Sequence, residues 1–237
     1  MIKATESLLG MKVSIGQKGL FMAALVIVTW FIALVLVLKF ATNLYSPLNV
    51  LWVLLLTHLY TGLFITAHDT FHGTVSENKQ INKWVGIICI TLYAAFDYSK
   101  VKAEHRKHHQ SVATEHDPDF YEGGFFSWYW KFLMHYISLT QIVLLAIVFN
   151  LLHYLFDIPK ANLILFWILP PLLSTLQLFY FGTYQPHNHP ETIDNIHKTR
   201  SQKKNHLWGF ISCYFFGYHL EHHKKPYLPW WKLWSEK

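Results

Sequence analysis

Histidines at helical spacing dominate the chemistry that this sequence can support. Residues 105–109 read H-R-K-H-H, and side chains three and four residues apart lie on one face of a helix. The same spacing recurs at 219–223 as H-L-E-H-H, and a third cluster places His68 and His72 four residues apart. Neutral imidazole is the commonest protein metal ligand. The three clusters therefore indicate a metal site.

The clusters, together with one isolated histidine, supply more ligands than a single ion can use. Nine histidines are candidates: His68, His72, His105, His108, His109, His187, His219, His222 and His223. Two ions with four or five ligands each would use them all. No cysteine accompanies them, which disfavours a thiolate zinc or iron–sulfur site. Imidazole suits zinc, copper, iron and nickel alike, so the spacing leaves the metal open.

Carboxylates lie inside or beside these clusters. They are Asp69, Glu104, Asp117, Asp119 and Glu221. A metal-bound imidazole usually donates its second N–H to a carboxylate, a carbonyl or water. We therefore expect these residues to support the ligands, and we assign Asp69, Asp117 and Glu221 to the catalytic site. For Asp117 and Asp119 the alternative is a turn built around Pro118.

Long uncharged runs must position the histidines. Charged residues make up 14% of the chain, against about 25% in soluble domains. Four runs have the length of a transmembrane helix: 19–38, 40–68 with its apolar part after Pro47, 132–156 and 161–190. Two shorter runs, 84–96 and 205–220, predict interfacial helices. We expect an all-α integral membrane protein, one domain over 1–237, with four transmembrane helices and a cytoplasmic His-rich cap.

Basic residues predict the orientation of these spans. With four spans, only the loops 39–47 and 157–161 lie opposite the termini, and they hold Lys39 and Lys160 out of 20 Lys and Arg. The other 18 lie on the side of both termini, which the positive-inside rule makes cytoplasmic. All nine candidate ligands fall at or beyond span ends on that side. This placement predicts one shared site at the cytoplasmic face.

The residues around the clusters resemble the carotenoid ketolases of bacteria. The resemblance covers about 63–233, and its segments are 64–73, the D-P-D-F run at 117–120, 181–187 and 216–223 continuing to P-W-W at 229–231. The histidine boxes alone are shared with membrane fatty-acid desaturases, alkane hydroxylases and carotenoid hydroxylases, and the flanking residues favour ketolase. Phe71 and His116 depart from the ketolase pattern, and either difference could alter substrate preference.

The resemblance implies a membrane non-haem di-iron oxygenase of the desaturase- and hydroxylase-like superfamily. Such an enzyme holds two iron ions (Fe²⁺), consumes O2 and takes electrons from reduced ferredoxin or a similar donor. It oxidises C4 of a β-ionone ring by two hydroxylations and loss of water. From β-carotene the implied products are echinenone and canthaxanthin, and a hydroxylated substrate leads toward astaxanthin. The implied location is a bacterial inner or thylakoid membrane, where the carotenoid arrives from the bilayer.

Other functions stay open from the sequence. A carotenoid hydroxylase or a fatty-acid desaturase would share the same di-iron site. A membrane metal transporter is disfavoured, because a conduit places polar ligands at the bilayer midplane. Basic runs are short, as at 198–204, so we expect no nucleic-acid partner. His189 is the nearest rival to His187, His116 is predicted to be a surface or supporting residue, and packing roles are predicted for His58, His135, His153, His197 and His206.

Overall fold

Helix α2 is the element around which the other helices pack. The computed structural model describes residues 15–41 and 43–237. Helix α2 (Leu48–Phe71) contacts α1 (Ile15–Phe40), α3 (Lys79–Ala94) and α7 (Lys160–His187). Residues 59–70 of α2 are buried except for Phe64. A helix that is apolar on every side is suited to such a central place, and the end of α2 carries the first of the clustered histidines.

Three helices are long and apolar enough to cross a membrane singly, namely α1, α2 and α7. Two further pairs meet the criterion only together: α3 with α4 (Tyr98–Gln110), bent by 100°, and α5 (Phe125–Tyr136) with α6 (Leu139–Leu155), bent by 80°. The described residues therefore form three to five candidate spans and no strand. The all-α prediction is confirmed, whereas the predicted count of four spans is not established.

The predicted span 132–156 is interrupted because Ser138 starts a new helix. Its hydroxyl accepts the backbone N–H of Gln141, and the Gln141 side chain accepts the backbone N–H of Ser138. This reciprocal pair is a capping box. Helix α6 alone has 17 residues and a length of about 25 Å, short of a hydrocarbon core of about 30 Å. The S-x-x-Q spacing is the sequence signal for this break.

The bend between α3 and α4 brings a histidine helix to the end of α2. Helix α3 begins at Lys79, well before the predicted run 84–96, and it ends where Ala95 adopts a left-handed conformation with φ 54°. Asp97 then caps α4 by accepting the backbone N–H of Lys100 at 2.9 Å. As a result, the ring centroids of His68 and His105 lie 4.4 Å apart.

Helix α7 contains two π-helical segments, Ile164–Ile168 and Tyr180–Tyr184. The helix continues through Pro170 and Pro171, which follow the first segment after Leu169. The hydroxyl of Thr61 on α2 lies 2.7 Å from the hydroxyl of Ser174 and 2.6 Å from Oε1 of Gln177 on α7. These polar contacts join the two helices inside the apolar core.

Short helices complete the histidine-bearing side of the molecule. The predicted run 205–220 forms a single short helix, α8 (His206–Cys213), which ends where Tyr214 adopts a left-handed conformation. Helix α9 (His219–Lys224) and α10 (Trp230–Leu233) follow. At the other end of the bundle, the side-chain amide of Asn162 donates to the carbonyl of Ala41 at 2.9 Å. The end of α1 and the start of α7 therefore lie together, away from the histidines.

Candidate metal centre

The first histidine group collects five rings from α2, its C-terminal cap, α4 and α9. His68, His72, His105 and His222 each offer one ring nitrogen, and these nitrogens lie within 4.8 Å of one another. The Nε2 atoms of His72 and His105 are 2.8 Å apart. His109 completes the group, since its Nε2 lies 3.0 Å from the Nε2 of His105 and 3.0 Å from that of His222.

The second histidine group consists of His108, His187, His219 and His223, and all four rings are buried. The Nε2 of His223 lies 3.2 Å from that of His108 and 3.1 Å from that of His219. His187 packs edge-on against His108 and His219. Its Nδ1 donates to the carbonyl of Lys198 at 3.0 Å, which leaves Nε2 as its ligand nitrogen.

The two groups touch each other. The ring of His109 in the first group stacks on that of His223 in the second, with centroids 4.3 Å apart. Helix α4 contributes to both groups, because His105 and His109 face one group while His108 faces the other. The structure thus gathers all nine candidate histidines, from four separate parts of the chain, into one bipartite cluster.

The ring nitrogens of this cluster fit metal ions. Both nitrogens of His68 and the Nε2 of His187 are buried without a hydrogen-bond partner, and each such group costs about 1–3 kcal/mol. Imidazole nitrogens sharing one ion at about 2.1 Å stand about 3 Å apart at right angles, which matches the Nε2 separations above. Burial, aided by neighbouring imidazoles, holds the pKa of His222 and His223 well below its usual value. Neutral rings are the form that binds metal, so each group is suited to one ion.

Asp117 orients His108. The His108 Nδ1 donates to the two carboxylate oxygens of Asp117 at 2.9 and 3.1 Å. Burial alone would raise the pKa of this carboxyl, but hydrogen bonds from His108 and from the backbone N–H groups of Ala113 and Asp119 hold the pKa below its usual value. A charged Asp117 fixes the tautomer of His108 and presents its Nε2 to the second group.

An aromatic cavity lies against both histidine groups. It has a volume of about 70 Å³, and His68, His105, His108 and His219 form one side of it. Its other walls include five phenylalanines: Phe64, Phe71, Phe96, Phe132 and Phe216. The residues Tyr93, Phe96, Leu133 and Thr175 also line a groove of about 1520 Å³ between α1, α3, α6 and α7. An apolar path therefore joins the histidines to the groove between the apolar helices.

The three carboxylates assigned to the catalytic site from sequence do not line this cavity. Asp117 holds His108, as described above. Asp69 accepts the backbone N–H of Trp230 at 2.9 Å, and its other oxygen lies 3.6 Å from His68 Nδ1. Glu221 accepts the hydroxyl of Ser201 and lies 3.2 Å from Lys237 Nζ. These contacts anchor the histidine-bearing segments and place none of the three carboxylates in the cavity, so a catalytic role for them stays a prediction.

Sequence reasoning missed the cavity residue Tyr136 and gave its partner Asp119 only a supporting role. Asp119 lines the cavity, although the sequence indicated only a supporting or turn-capping role. The hydroxyl of Tyr136 donates to its Oδ1 at 2.6 Å, and Tyr136 lines the cavity too. Burial raises the pKa of Asp119, and the nearby Asp117 carboxylate raises it further. The D-P-D run indicated Asp119 as a candidate, but no local pattern connects it with Tyr136.

The other seven histidines lie outside both groups. His189 has a side chain that is 70% exposed and pairs with Glu191, and His116 is 80% exposed. His58 stacks on Tyr214. His135 pairs with Glu104 at 3.1 Å, His153 and His206 bond to nearby groups, and His197 packs beside His223 with ring centroids 5.9 Å apart.

Asp69→Ala is expected to destabilise the protein by about 1–3 kcal/mol, because it leaves the buried N–H of Trp230 without an acceptor. The loss should appear as a lower midpoint of thermal aggregation in detergent. Asp69→Asn retains an acceptor and should lose less, while alanine at the exposed Asp194 should change nothing. An Asp69→Ala protein with unchanged stability would rule out this anchoring role.

Comparison with known proteins agrees with this architecture. The family model described as fatty acid desaturase matches residues 44–153 and 126–234. The chain is 38% identical over 233 residues to a zeaxanthin 4-ketolase of Chlamydomonas reinhardtii, covering 94% of this chain and 52% of the relative. It is 40% identical over 193 residues to beta-carotene 4-ketolase 3 of Haematococcus lacustris, covering 76% and 59%. A beta-carotene ketolase of Paracoccus sp. strain PC1 is 36% identical over 182 residues, covering 75% and 74%. No solved structure matches significantly.

The apolar spans and the bipartite histidine cluster define a helical membrane protein with a site suited to two metal ions. The chain belongs to the fatty acid desaturase family, and within it to the carotenoid ketolases. It spans only 52% to 59% of the length of the two algal relatives.

Proposed function

We propose that this protein is a β-carotene 4-ketolase. It oxidises C4 of a β-ionone ring twice and releases water, converting β-carotene to echinenone and canthaxanthin and leading toward astaxanthin from hydroxylated rings. The observation that carries the proposal is the cavity in which phenylalanines face histidines of both groups. Its aromatic walls suit an apolar ring, and the ring would lie against the site of oxidation.

Two iron ions are the metals that this function needs. We assign His68, His72, His105, His109 and His222 to one ion, and His108, His187, His219 and His223 to the other. Bound iron would supply the redox chemistry with O2 that oxidation of the allylic C4–H bond requires and that redox-inert zinc cannot supply. Asp117 acts on this site from outside, by fixing the orientation of His108.

The protein's own part is to bind the ring, orient it and exclude water. The groove between α1, α3, α6 and α7, with its volume of about 1520 Å³, would hold the polyene beside the cavity and is lined mainly by apolar side chains. Because a carotenoid dissolves in the bilayer, it would enter from lipid without an aqueous channel. Aromatic side chains around the cavity then hold the ring with C4 next to the histidines.

We place the histidine cluster and the termini on the cytoplasmic side of a bacterial inner or thylakoid membrane. The contact between Asn162 and Ala41 supports this, because it puts the two lysine-poor loops together at the opposite end of the bundle. The basic residues then face the cytoplasm. A reduced ferredoxin or similar acidic carrier could reach the irons there while the carotenoid arrives from the membrane.

Expression in β-carotene-producing bacteria tests the function directly. We expect chromatography of the pigments to show echinenone and canthaxanthin, which vector-only cells lack. Rings hydroxylated at C3 without ketones would identify a carotenoid hydroxylase, and altered acyl chains would identify a desaturase. Metal uptake into liposomes without oxygenase activity would indicate a transporter. Any of these results, obtained with folded and reduced protein, would overturn the ketolase proposal.

A further inference from the structure

Asp119 is the only carboxylate among the described residues that line the aromatic cavity. It is held firmly: Tyr136 donates to its Oδ1 at 2.6 Å, its backbone N–H donates to Asp117 at 2.9 Å, and its carbonyl accepts the indole N–H of Trp128 at 2.8 Å. The two backbone contacts therefore fix the position of Asp119 in the chain, and the contact with Tyr136 fixes its carboxylate.

The second oxygen of Asp119 has no hydrogen-bond donor among the described residues. The polar group that approaches Oδ2 is His108 Nδ1 at 3.9 Å, which is beyond hydrogen-bonding distance and already bonded to Asp117. A polar atom in an apolar pocket is costly unless something bonds to it. A hydrocarbon ring offers no hydrogen-bond donor to this oxygen, so a ligand with a hydroxyl group fits the cavity better. By contrast, the hydroxyl of Thr175 in the same wall is satisfied by Leu172 and Tyr129.

We propose that Asp119, held by Tyr136, binds the hydroxyl group that the first oxidation leaves on C4, and thereby orients the ring for the second oxidation. The C4 alcohol donates its O–H to Oδ2 of Asp119. This inference rests on the proposed ketolase function and adds a second ligand to the site, a secondary allylic alcohol in place of an unsubstituted ring.

The chemistry of ketone formation explains why such a contact is needed. In the first oxidation C4 changes from CH2 to CHOH, and in the second from CHOH to C(OH)2, which loses water to give C=O. Each oxidation consumes one O2, two electrons and two protons and releases one water. The second oxidation must attack the remaining C4–H bond, so this bond has to face the metal site and the C4 hydroxyl has to point away from it. A fixed acceptor next to His108 does this by orientation alone.

The C4 hydroxyl is favoured over a C3 hydroxyl as the ligand of Asp119. A C4 hydroxyl arises inside the cavity in every catalytic cycle, whichever carotenoid enters. A C3 hydroxyl is present only when the incoming ring already carries one. Asp119 also borders His108 of the second histidine group, where the newly oxidised carbon must lie.

The test compares Asp119→Leu, Asp119→Asn and Tyr136→Phe with the wild type in β-carotene-producing bacteria. Asp119→Leu removes the acceptor at similar size, and we expect the ratio of 4-hydroxy to 4-keto rings to rise about tenfold, as the loss of one good hydrogen bond implies. Tyr136→Phe should raise the ratio in the same direction. Asp119→Asn keeps an acceptor and should partly restore the wild-type ratio.

A matched control separates binding of the hydroxyl from general damage. Asp117→Asn acts on His108 but keeps an amide oxygen that can accept the backbone N–H of Asp119, and it does not line the cavity. It should therefore lower total oxidation without changing the ratio of alcohol to ketone. An unchanged ratio in both Asp119→Leu and Tyr136→Phe would overturn the inference. Asp119→Leu could instead lose the first oxidation only with zeaxanthin as substrate and give a normal ratio of alcohol to ketone from β-carotene. That result would assign Asp119 to the C3 hydroxyl and would also overturn the inference.

A binding measurement makes the inference separable from the ketolase function. Purified protein is titrated with 4-hydroxy-β-ionone and with β-ionone, and intrinsic fluorescence is followed. We expect wild type to prefer the alcohol about tenfold and Asp119→Leu to lose that preference. The inference would be overturned if Asp119→Leu preferred the alcohol over β-ionone by the same factor as wild type. If wild type makes no ketone in cells, the ketolase proposal fails, whereas the preference for the alcohol still tests the site.

Discussion

Replacing His222 with alanine is expected to abolish ketone formation, with a loss of more than about 100-fold. His222 is buried, and its Nε2 lies 3.0 Å from that of His109 within the first histidine group. Removing an orienting partner of a ligand already costs about 10–100-fold, so removal of the ligand itself should cost more. The purified variant should also hold about one iron fewer than wild type. Pigment chromatography measures the loss of ketone, and metal analysis measures the loss of iron.

His116→Ala is the matched control for this variant. It removes the same type of ring from a side chain that is 80% exposed and lies outside both groups, so activity and iron content should not change. Equal membrane accumulation and helical circular dichroism of the two variants would exclude a folding defect. Near-normal ketone yield from His222→Ala would remove this residue from the proposed ligand set.

Asp117→Ala is expected to lower ketone formation about 10–100-fold, because it acts on His108 through the second ring nitrogen. The substitution removes the acceptor of His108 Nδ1 and also that of the backbone N–H groups of Ala113 and Asp119. His108 can then change tautomer or rotate, so iron in the second group should bind more weakly. Ketone yield and iron retention during dialysis against a chelator measure the two effects.

Asp117→Asn separates the effect of the hydrogen bond to His108 from the effect of the negative charge on Asp117. The amide oxygen can still accept from His108, so its loss should be smaller than that of alanine. Glu115→Ala in the same loop is the control, since that side chain is 86% exposed and should leave both measurements unchanged. Equal activity of Asp117→Ala and wild type would show that His108 needs no external orientation.

Local patterns predicted most of the metal-site candidates. The rings of His105, His108 and His109 share a helix face because their spacing matches the helical repeat, and this property is local. His187 lies alone in the sequence, and only its resemblance to a ketolase Pro-His pair singled it out. Its place in the second group depends on how α7 packs beside α9, which no local pattern contains.

The features that were predicted less well depend on helix capping and on contacts between residues far apart in the sequence. The break at Ser138 follows from a capping box that hydropathy does not register. The pairing of Tyr136 with Asp119 joins residues 17 positions apart across a loop. The roles of Asp69 and Glu221 in anchoring distant segments likewise appear only when Trp230 and Ser201 are folded against them.

The π-helical turn Tyr180–Tyr184, just before His187, determines where helix α7 can lose a residue during evolution. Such a turn holds one residue more than an α-helical turn and keeps the helix on either side in phase. One amino acid can therefore be deleted there while the imidazole of His187 stays where it is. The same deletion within Leu169–Phe179 would turn that imidazole by about 100°. This turn is therefore a position at which α7 can lose one residue without displacing the histidine cluster.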